Sequence, residues 1–227
     1  MQDNQTVLAD TIPKQTAPDF MFVTAVSGLT LREHPNLQSE KLEVMPLGTK
    51  VKIVTAEGKN TMNVGGIDGA MDEVEYNGKN GFAFNGFMSK FSPAGGNASA
   101  KNYVDELKKD FPNIEYSEAV GGDVSKPTKT ETLIIPTEKW HEAFFMAQQL
   151  FEIPKEFAFP NPKGSNNETQ QDGNKKKNVI LSELQISRNA NQLQKIVYNY
   201  KIEGFGYNVV ISKDSKGMKL EKTEVAD

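Results

Sequence analysis

Two histidines, His34 and His141, are the only imidazoles in the chain. Neither belongs to an H-x-x-x-H or H-E-x-x-H spacing, so histidine-based zinc is not expected. His141 follows Trp140 where a helical pattern begins. It is expected to be an exposed helix-start histidine, with a general base as the alternative. No Gly-x-Ser-x-Gly elbow presents a serine to a His–acid pair. The absence of cysteine excludes a thiol nucleophile, a disulfide scaffold, Cys-ligated zinc or iron–sulfur and a lipid-anchoring cysteine. Asp68, Asp72, Glu73 and Glu75 lie in or beside a Gly-rich stretch with several oxygen ligands, and carboxylates so placed suit a hard cation such as calcium. Their spacing is not that of an EF-hand loop, so the segment around 58–69 is read as an extended hairpin, with cation binding left open and no metal assigned. The pairs Asp72-Glu73 and Asp105-Glu106 are adjacent in sequence, and on a strand such neighbours point apart, unlike a glycosidase pair. Gly204-Phe205-Gly206-Tyr207 falls between strand patterns rather than before a helix, which indicates a hairpin turn and not a phosphate cradle. The Lys175-Lys176-Lys177 run reads as solvated, with an anionic surface as the alternative. Tyr198, Tyr200, Phe205 and Tyr207 read as sheet core, with an aromatic binding face as the alternative. No cofactor is implied.

These residues sit in a chain of 227 residues and 25.1 kDa, with mean hydropathy −0.54 and 37% hydrophobic residues. That size fits one or two domains. Net charge is −4, which argues against a general nucleic-acid binder. No run approaches the roughly 18 apolar residues of a membrane span. The opening Met1-Gln2-Asp3-Asn4-Gln5 has neither the basic region nor the apolar run of a signal peptide. It suits a mature exported chain, periplasmic or secreted, whose signal has been removed. A cytoplasmic protein is the alternative. Residues 1–19 read as a flexible lead-in.

From Phe20 to Phe91 short apolar runs alternate with turn residues. Phe22–Val26 is a strand pattern stopped by Ser27-Gly28. Leu29 and Leu31 alternate with Thr30 and Arg32. Lys50–Val54 alternates with period two. Val74-Glu75-Tyr76 meets Asn77-Gly78, a pair that supplies the positive φ angles of a tight hairpin. Gly81–Phe84 is the return strand. Leu29, Leu31, Val51, Ile53, Val74 and Phe82 would fill a small β interior.

Within this stretch, Gly28-Leu29-Thr30-Leu31-Arg32-Glu33-His34-Pro35 resembles the Gly-Leu-x-(Val/Leu)-Arg-x-x-Pro opening of bacterial SH3-like (SH3b) domains. Leu47–Val54 resembles that family's middle Gly-x-x-Val strand. Asn77–Phe84 with Phe87-Met88 resembles its closing Gly-Lys-x-Gly-(Trp/Tyr)-Val segment. The three motifs occur in order over about 70 residues. The resemblance implies an all-β SH3-like barrel over 20–92 that takes cell-wall or peptide ligands through aromatic residues. The departures bear on that ligand: Met71 stands where the family often has Trp, Phe82 replaces the Trp after the second Gly, and an insertion runs from about Gly58 to Gly69. The resemblance therefore points to Arg32, Met71, Asp72, Phe82 and Phe84 as ligand-binding candidates. Arg32 is itself read first as a structural residue bonding loop carbonyls.

Residues 93–99, Gly-rich and polar, read as a linker. Ser99 is placed to cap a helix from Ala100 to about Asp110, ended by Pro112. Residues 121–129 read as a loop and Glu131–Ile135 as a strand. Thr137 is a plausible cap for a helix from Glu138 to about Glu152, whose stripe is Trp140, Phe144, Ala147 and Phe151. Residues 161–178 form a polar run, expected to be a long solvated loop. Four strand patterns close the chain, at Val179–Ile186, Leu193–Ile202, Phe205–Ser212 and Met218–Val225. The expected fold class is mixed: an N-terminal all-β SH3-like barrel, then an α+β domain over 100–227 with two helices against an antiparallel β-meander.

The expected function is a non-enzymatic bacterial envelope-associated or secreted binding protein, with peptidoglycan or a protein or peptide as partner and no nucleic acid. The alternative is an enzyme or inhibitor in envelope metabolism with a cleft between the two domains.

Overall fold

The structure is a computed structural model that describes residues 19–96 and 98–226. The lead-in expected over 1–19 therefore lies, Asp19 apart, outside the described residues. The described chain is mostly β, with two α-helices and three antiparallel sheets.

The first sheet holds β1 (Phe20–Val23), β2 (Leu29–Arg32), β3 (Lys41–Met45), β4 (Lys50–Thr55), β7 (Met71–Tyr76), β8 (Lys79–Phe84) and β9 (Met88–Ser89). Between β4 and β7 a small hairpin, β5 (Met62–Val64) and β6 (Ile67–Gly69), forms a two-stranded sheet of its own. A 3-10 turn, Asn85–Phe87, separates β8 from β9. The order is β3-β2-β8-β7-β4-β1-β9, so the hydrogen-bonded ladder ends at β3 and β9 and does not close. Val23, Leu29, Leu31, Met45, Val51, Val74, Ala83 and Met88 turn inward. The β7–β8 hairpin reverses at Asn77 and Gly78, with φ of 52° and 73°. That is the mirror-image turn which an Asn-Gly pair favours.

The second sheet runs β10-β11-β16-β15-β14-β13-β12, all antiparallel. Its strands are β10 (Glu115–Gly122), β11 (Pro127–Ile135), β12 (Asn167–Gln171), β13 (Leu181–Asn189), β14 (Gln192–Ile202), β15 (Phe205–Asp214) and β16 (Gly217–Ala226). The last four form the expected meander. Gly217 starts β16 with φ of 140°, and a Cβ there would lie 2.1 Å from the Ile135 carbonyl oxygen. Only glycine tolerates that approach.

Two segments differ from expectation. The loop expected over 121–129 is the end of a β-hairpin: β10 and β11 pair from Glu115↔Ile134 to Gly122↔Pro127. Within 161–178, expected to be solvated loop throughout, β12 pairs with β13 from Asn167↔Ser187 to Gln171↔Glu183. Neither β10 nor β12 needs an apolar face of its own, because backbone pairing to an already ordered neighbour is sufficient for an edge strand.

Helix α1 (Ala100–Leu107) is capped by Ser99, whose Oγ accepts the Asn102 N–H at 3.2 Å. Helix α2 (Trp140–Leu150) begins after Lys139, later than expected. Thr137 still serves its start: its Oγ1 accepts the Lys139 N–H at 3.2 Å and donates to Glu142 Oε2 at 2.5 Å. Phe144, Ala147 and Phe151 pack on the sheet face of Leu184, Ile196, Tyr198, Val209 and Leu220 in one continuous core. Phe157 joins them, with its ring 5.8 Å from Tyr198.

The segment joining the two sheets is tied down at several points. The Tyr103 hydroxyl donates to the Ser92 carbonyl at 2.7 Å, and the Ala94 N–H donates to Gln149 Oε1 at 2.8 Å. Lys90 Nζ donates to the Pro136 carbonyl at 3.0 Å. The Phe91 and Phe111 rings pack with centroids 4.8 Å apart, tilted by 58°. These contacts fix α2 beside the turns at one end of the first sheet, and that placement creates the site.

Candidate functional site

The five ligand-binding candidates do not converge on an open surface. Arg32 is half-buried, and its Nη1 donates to the Ser39 carbonyl at 2.8 Å, holding the β2–β3 loop. Phe82 is its cross-strand partner in β8 and is also half-buried. Met71, Asp72 and Phe84 are buried. Phe84 packs edge-on against Phe87 at 5.4 Å. The Asp72 carboxylate accepts the Glu57 N–H and an Asn85 Nδ2 hydrogen through Oδ1, both at 2.9 Å. Burial raises its pKa, and the two hydrogen bonds only partly offset that. Asp72 thus clasps the β4–β5 loop to the 3-10 turn.

The carboxylates around the 58–69 segment each have a separate protein partner. Asn63 Nδ2 donates to Asp68, Thr55 Oγ1 donates to Glu73, and Lys52 pairs with Glu75 at 3.1 Å. Among the described residues no three His, Cys, Asp or Glu side chains gather as a metal-holding group.

His34 is exposed, with Nε2 3.7 Å from Glu33. His141 departs from expectation, since it is only 8% exposed. Its ring packs edge-on to Phe159 at 6.0 Å, and its buried Nε2 has no hydrogen-bond partner. Burial first, and the Lys139 charge second, push its pKa down to about 4. The residue is an uncharged core imidazole. The reason is tertiary: Phe159, from the chain beyond the end of α2, packs against His141 and Phe144.

The concave site lies elsewhere. A cleft of about 340 Å³ opens where the β1–β2 and β3–β4 turns, the joining segment and α2 meet. Val26 and Leu47 form one wall, 60% and 39% exposed. Phe145, Gln148 and Gln149 of α2 form the other, with Lys155 at the rim. Pro93, Ala94, Gly95 and Gly96 make the floor, and Thr24 completes the lining. The described lining contains no Asp, Glu or His. Gln148 is fixed by its amide, which donates to the Pro154 and Phe157 carbonyls at 3.0 Å each. Because Gln149 Oε1 accepts the Ala94 N–H, its NH2 must be the end left for other partners. An adjoining pocket of about 20 Å³ shares Thr24, Pro93, Phe145 and Gln149 with the cleft and adds Glu142, Tyr103 and Ser89. There Glu142 is held by Thr137 and by Lys139 at 3.8 Å.

None of the cleft residues was a candidate from sequence. They come from four separate stretches, and each taken alone reads as a turn, a linker or a helix flank. The one signal available was Phe145 on the flank of the α2 stripe, an aromatic outside the main packing face.

Among the described residues no helix is long and apolar enough to cross a membrane. Comparison with protein-family models, with curated proteins and with solved structures returns no match.

Proposed function

We propose that this chain is a non-enzymatic binding protein of the bacterial envelope, periplasmic or secreted, in which an SH3-like module and an α+β region together hold a ligand in the cleft at their junction. The observation that carries this reading is the chemistry of the cleft wall. Val26, Leu47 and Phe145 offer apolar surface, while the polar groups are amides, a hydroxyl, peptide N–H groups and one ammonium. Such groups orient a bound molecule, and a mostly apolar concavity with a few placed polar groups is the usual form of a ligand site. The SH3-like part of the reading is supported by the three ordered motifs and by the seven antiparallel strands of the first sheet packed about a shared interior. The envelope address rests on the family resemblance. An enzyme or inhibitor in envelope metabolism would also use a cleft between the two regions, but it would call for an acid–base pair that the described lining lacks.

Sedimentation with purified bacterial cell wall at low salt is the test. The chain is expected in the pellet, and the Val26→Ser/Leu47→Ser double variant in the supernatant. Both side chains are substantially exposed, so the variant should fold. A parent chain that stays in the supernatant would overturn the envelope-binding reading.

A further inference from the structure

The charge distribution around the cleft narrows what it can hold. Lys155 sits at the rim, exposed, and among the described residues it pairs with no carboxylate. The Gly95 and Gly96 N–H groups have no acceptor among the described residues, and the Gln149 NH2 is likewise without one. These donors belong to residues that line the same cleft as two exposed aliphatic side chains. No carboxylate is in the described lining of the cleft; Glu142, which lines the adjoining pocket, already has Thr137 and Lys139 as partners, and Glu156 is exposed next to Lys155 in the chain. A cationic ligand would meet an ammonium of its own sign, and a neutral carbonyl would accept from the amides but leave the ammonium without a counter-charge, whereas a carboxylate would meet all of them.

We infer that the cleft binds a small monocarboxylate with an apolar body, its carboxylate at Lys155, Gln149 and the Gly95-Gly96 amides and its body between Val26, Leu47 and Phe145. The inference rests on the cleft being the binding site, and it adds the class of ligand. A cavity of about 340 Å³ lies at the small end of ligand pockets, large enough for a medium-length acyl chain or one or two terminal residues of a peptide. Those two sources share the chemistry that the cleft recognises.

The full chain, ¹⁵N-labelled, is titrated at low salt with octanoate and with N-acetyl-leucine, each beside its neutral counterpart, octanamide and N-acetyl-leucinamide. The Gly95, Gly96 and Gln149 amide signals are followed. Each acid that binds is expected to do so about fivefold more tightly than its amide, the size of an exposed ion pair, and added salt should erase the difference. Lys155→Gln should bring acid and amide to equal affinity. Tighter binding of octanoate would identify an acyl chain as the source, and tighter binding of N-acetyl-leucine a peptide end; either supports the inference. Equal binding of acid and amide by the parent chain, or a preference that survives Lys155→Gln, would overturn the carboxylate assignment and leave the cleft as a binding site. If none of the four probes shifts the cleft signals, the cleft reading falls with it.

Discussion

His141 makes the stability of this protein depend on pH in a direction that can be calculated. The ring is 8% exposed, its Nε2 has no partner, and its pKa is pushed down to about 4. In the unfolded chain a histidine titrates near 6.5. Between those values the unfolded state binds a proton that the folded state refuses, so stability falls as pH falls through the window and is recovered in full above about 6.5. A gap of about 2.5 pH units corresponds to roughly 3 kcal/mol by pH 4, of which about 2 kcal/mol is already lost at pH 5. His141→Leu keeps the volume and removes the titration. At pH 7.5 the variant should lie within about 1 kcal/mol of the parent, because no hydrogen bond at Nε2 is lost. At pH 5 it should be more stable than the parent by about 2 kcal/mol. Urea unfolding at the two pH values measures both. A parent-to-variant difference that is the same at pH 5 and pH 7.5 would refute the account, since it would mean that His141 titrates alike in both states.

Asp72 carries the opposite sign. Burial raises its pKa in the folded state, so the folded chain is favoured while the group is protonated and loses stability as pH rises through its titration. Asp72→Asn keeps an acceptor for the Glu57 N–H and should match or exceed the parent in urea unfolding at pH 7. Asp72→Ala, which leaves that donor unpaired, should cost roughly 1–3 kcal/mol. Arg188 holds the segment that leads into β12: its buried guanidinium donates to the Asn161 and Ser165 carbonyls at 2.9 Å each and pairs with Glu168 at 2.8 Å. Arg188→Met should cost about 2–3 kcal/mol and should make residues 161–171 the first site of limited proteolysis, whereas a cleavage pattern identical to the parent's would argue against the clamp.

How far the fold could be read in advance depended on whether an element carried its own signal. The β14 and β15 strands did, with Ile196, Tyr198 and Tyr200 facing Ile211, Val209 and Tyr207 in register. The β7–β8 turn did, because Asn77-Gly78 is a local solution to positive φ. Ser99 did, as a cap whose hydrogen bond lies within three residues. Strands β10 and β12 did not: Glu-Tyr-Ser-Glu-Ala-Val-Gly-Gly and Asn-Glu-Thr-Gln-Gln show no alternation of apolar residues, and their order comes from the strands beside them. The burial of His141 was equally illegible, because it depends on Phe159, which lies beyond the end of the helix.

The same distinction separates the candidates that sequence suggested from the site the fold forms. Arg32 and Asp72 carry chemically conspicuous groups, and each makes a hydrogen bond that closes a loop. A charged group whose partners lie on neighbouring strands is more easily satisfied inside the protein than kept free for a ligand, because leaving it buried and unpaired is costly. Conspicuous polar residues in a small β-rich region therefore tend to become fasteners. A group without a partner in the chain is the kind that could meet one outside it, and the junction holds several: Lys155, which pairs with no carboxylate among the described residues, the spare amide of Gln149 and two aliphatic side chains turned to solvent. None of these looks functional alone. What distinguishes them is that α2, anchored through Gln149 to Ala94, is held opposite the Val26 and Leu47 turns. If the cleft is the binding site proposed above, its specificity comes from how the two regions are joined, and changes to the 93–96 segment should then alter binding more than changes within either sheet.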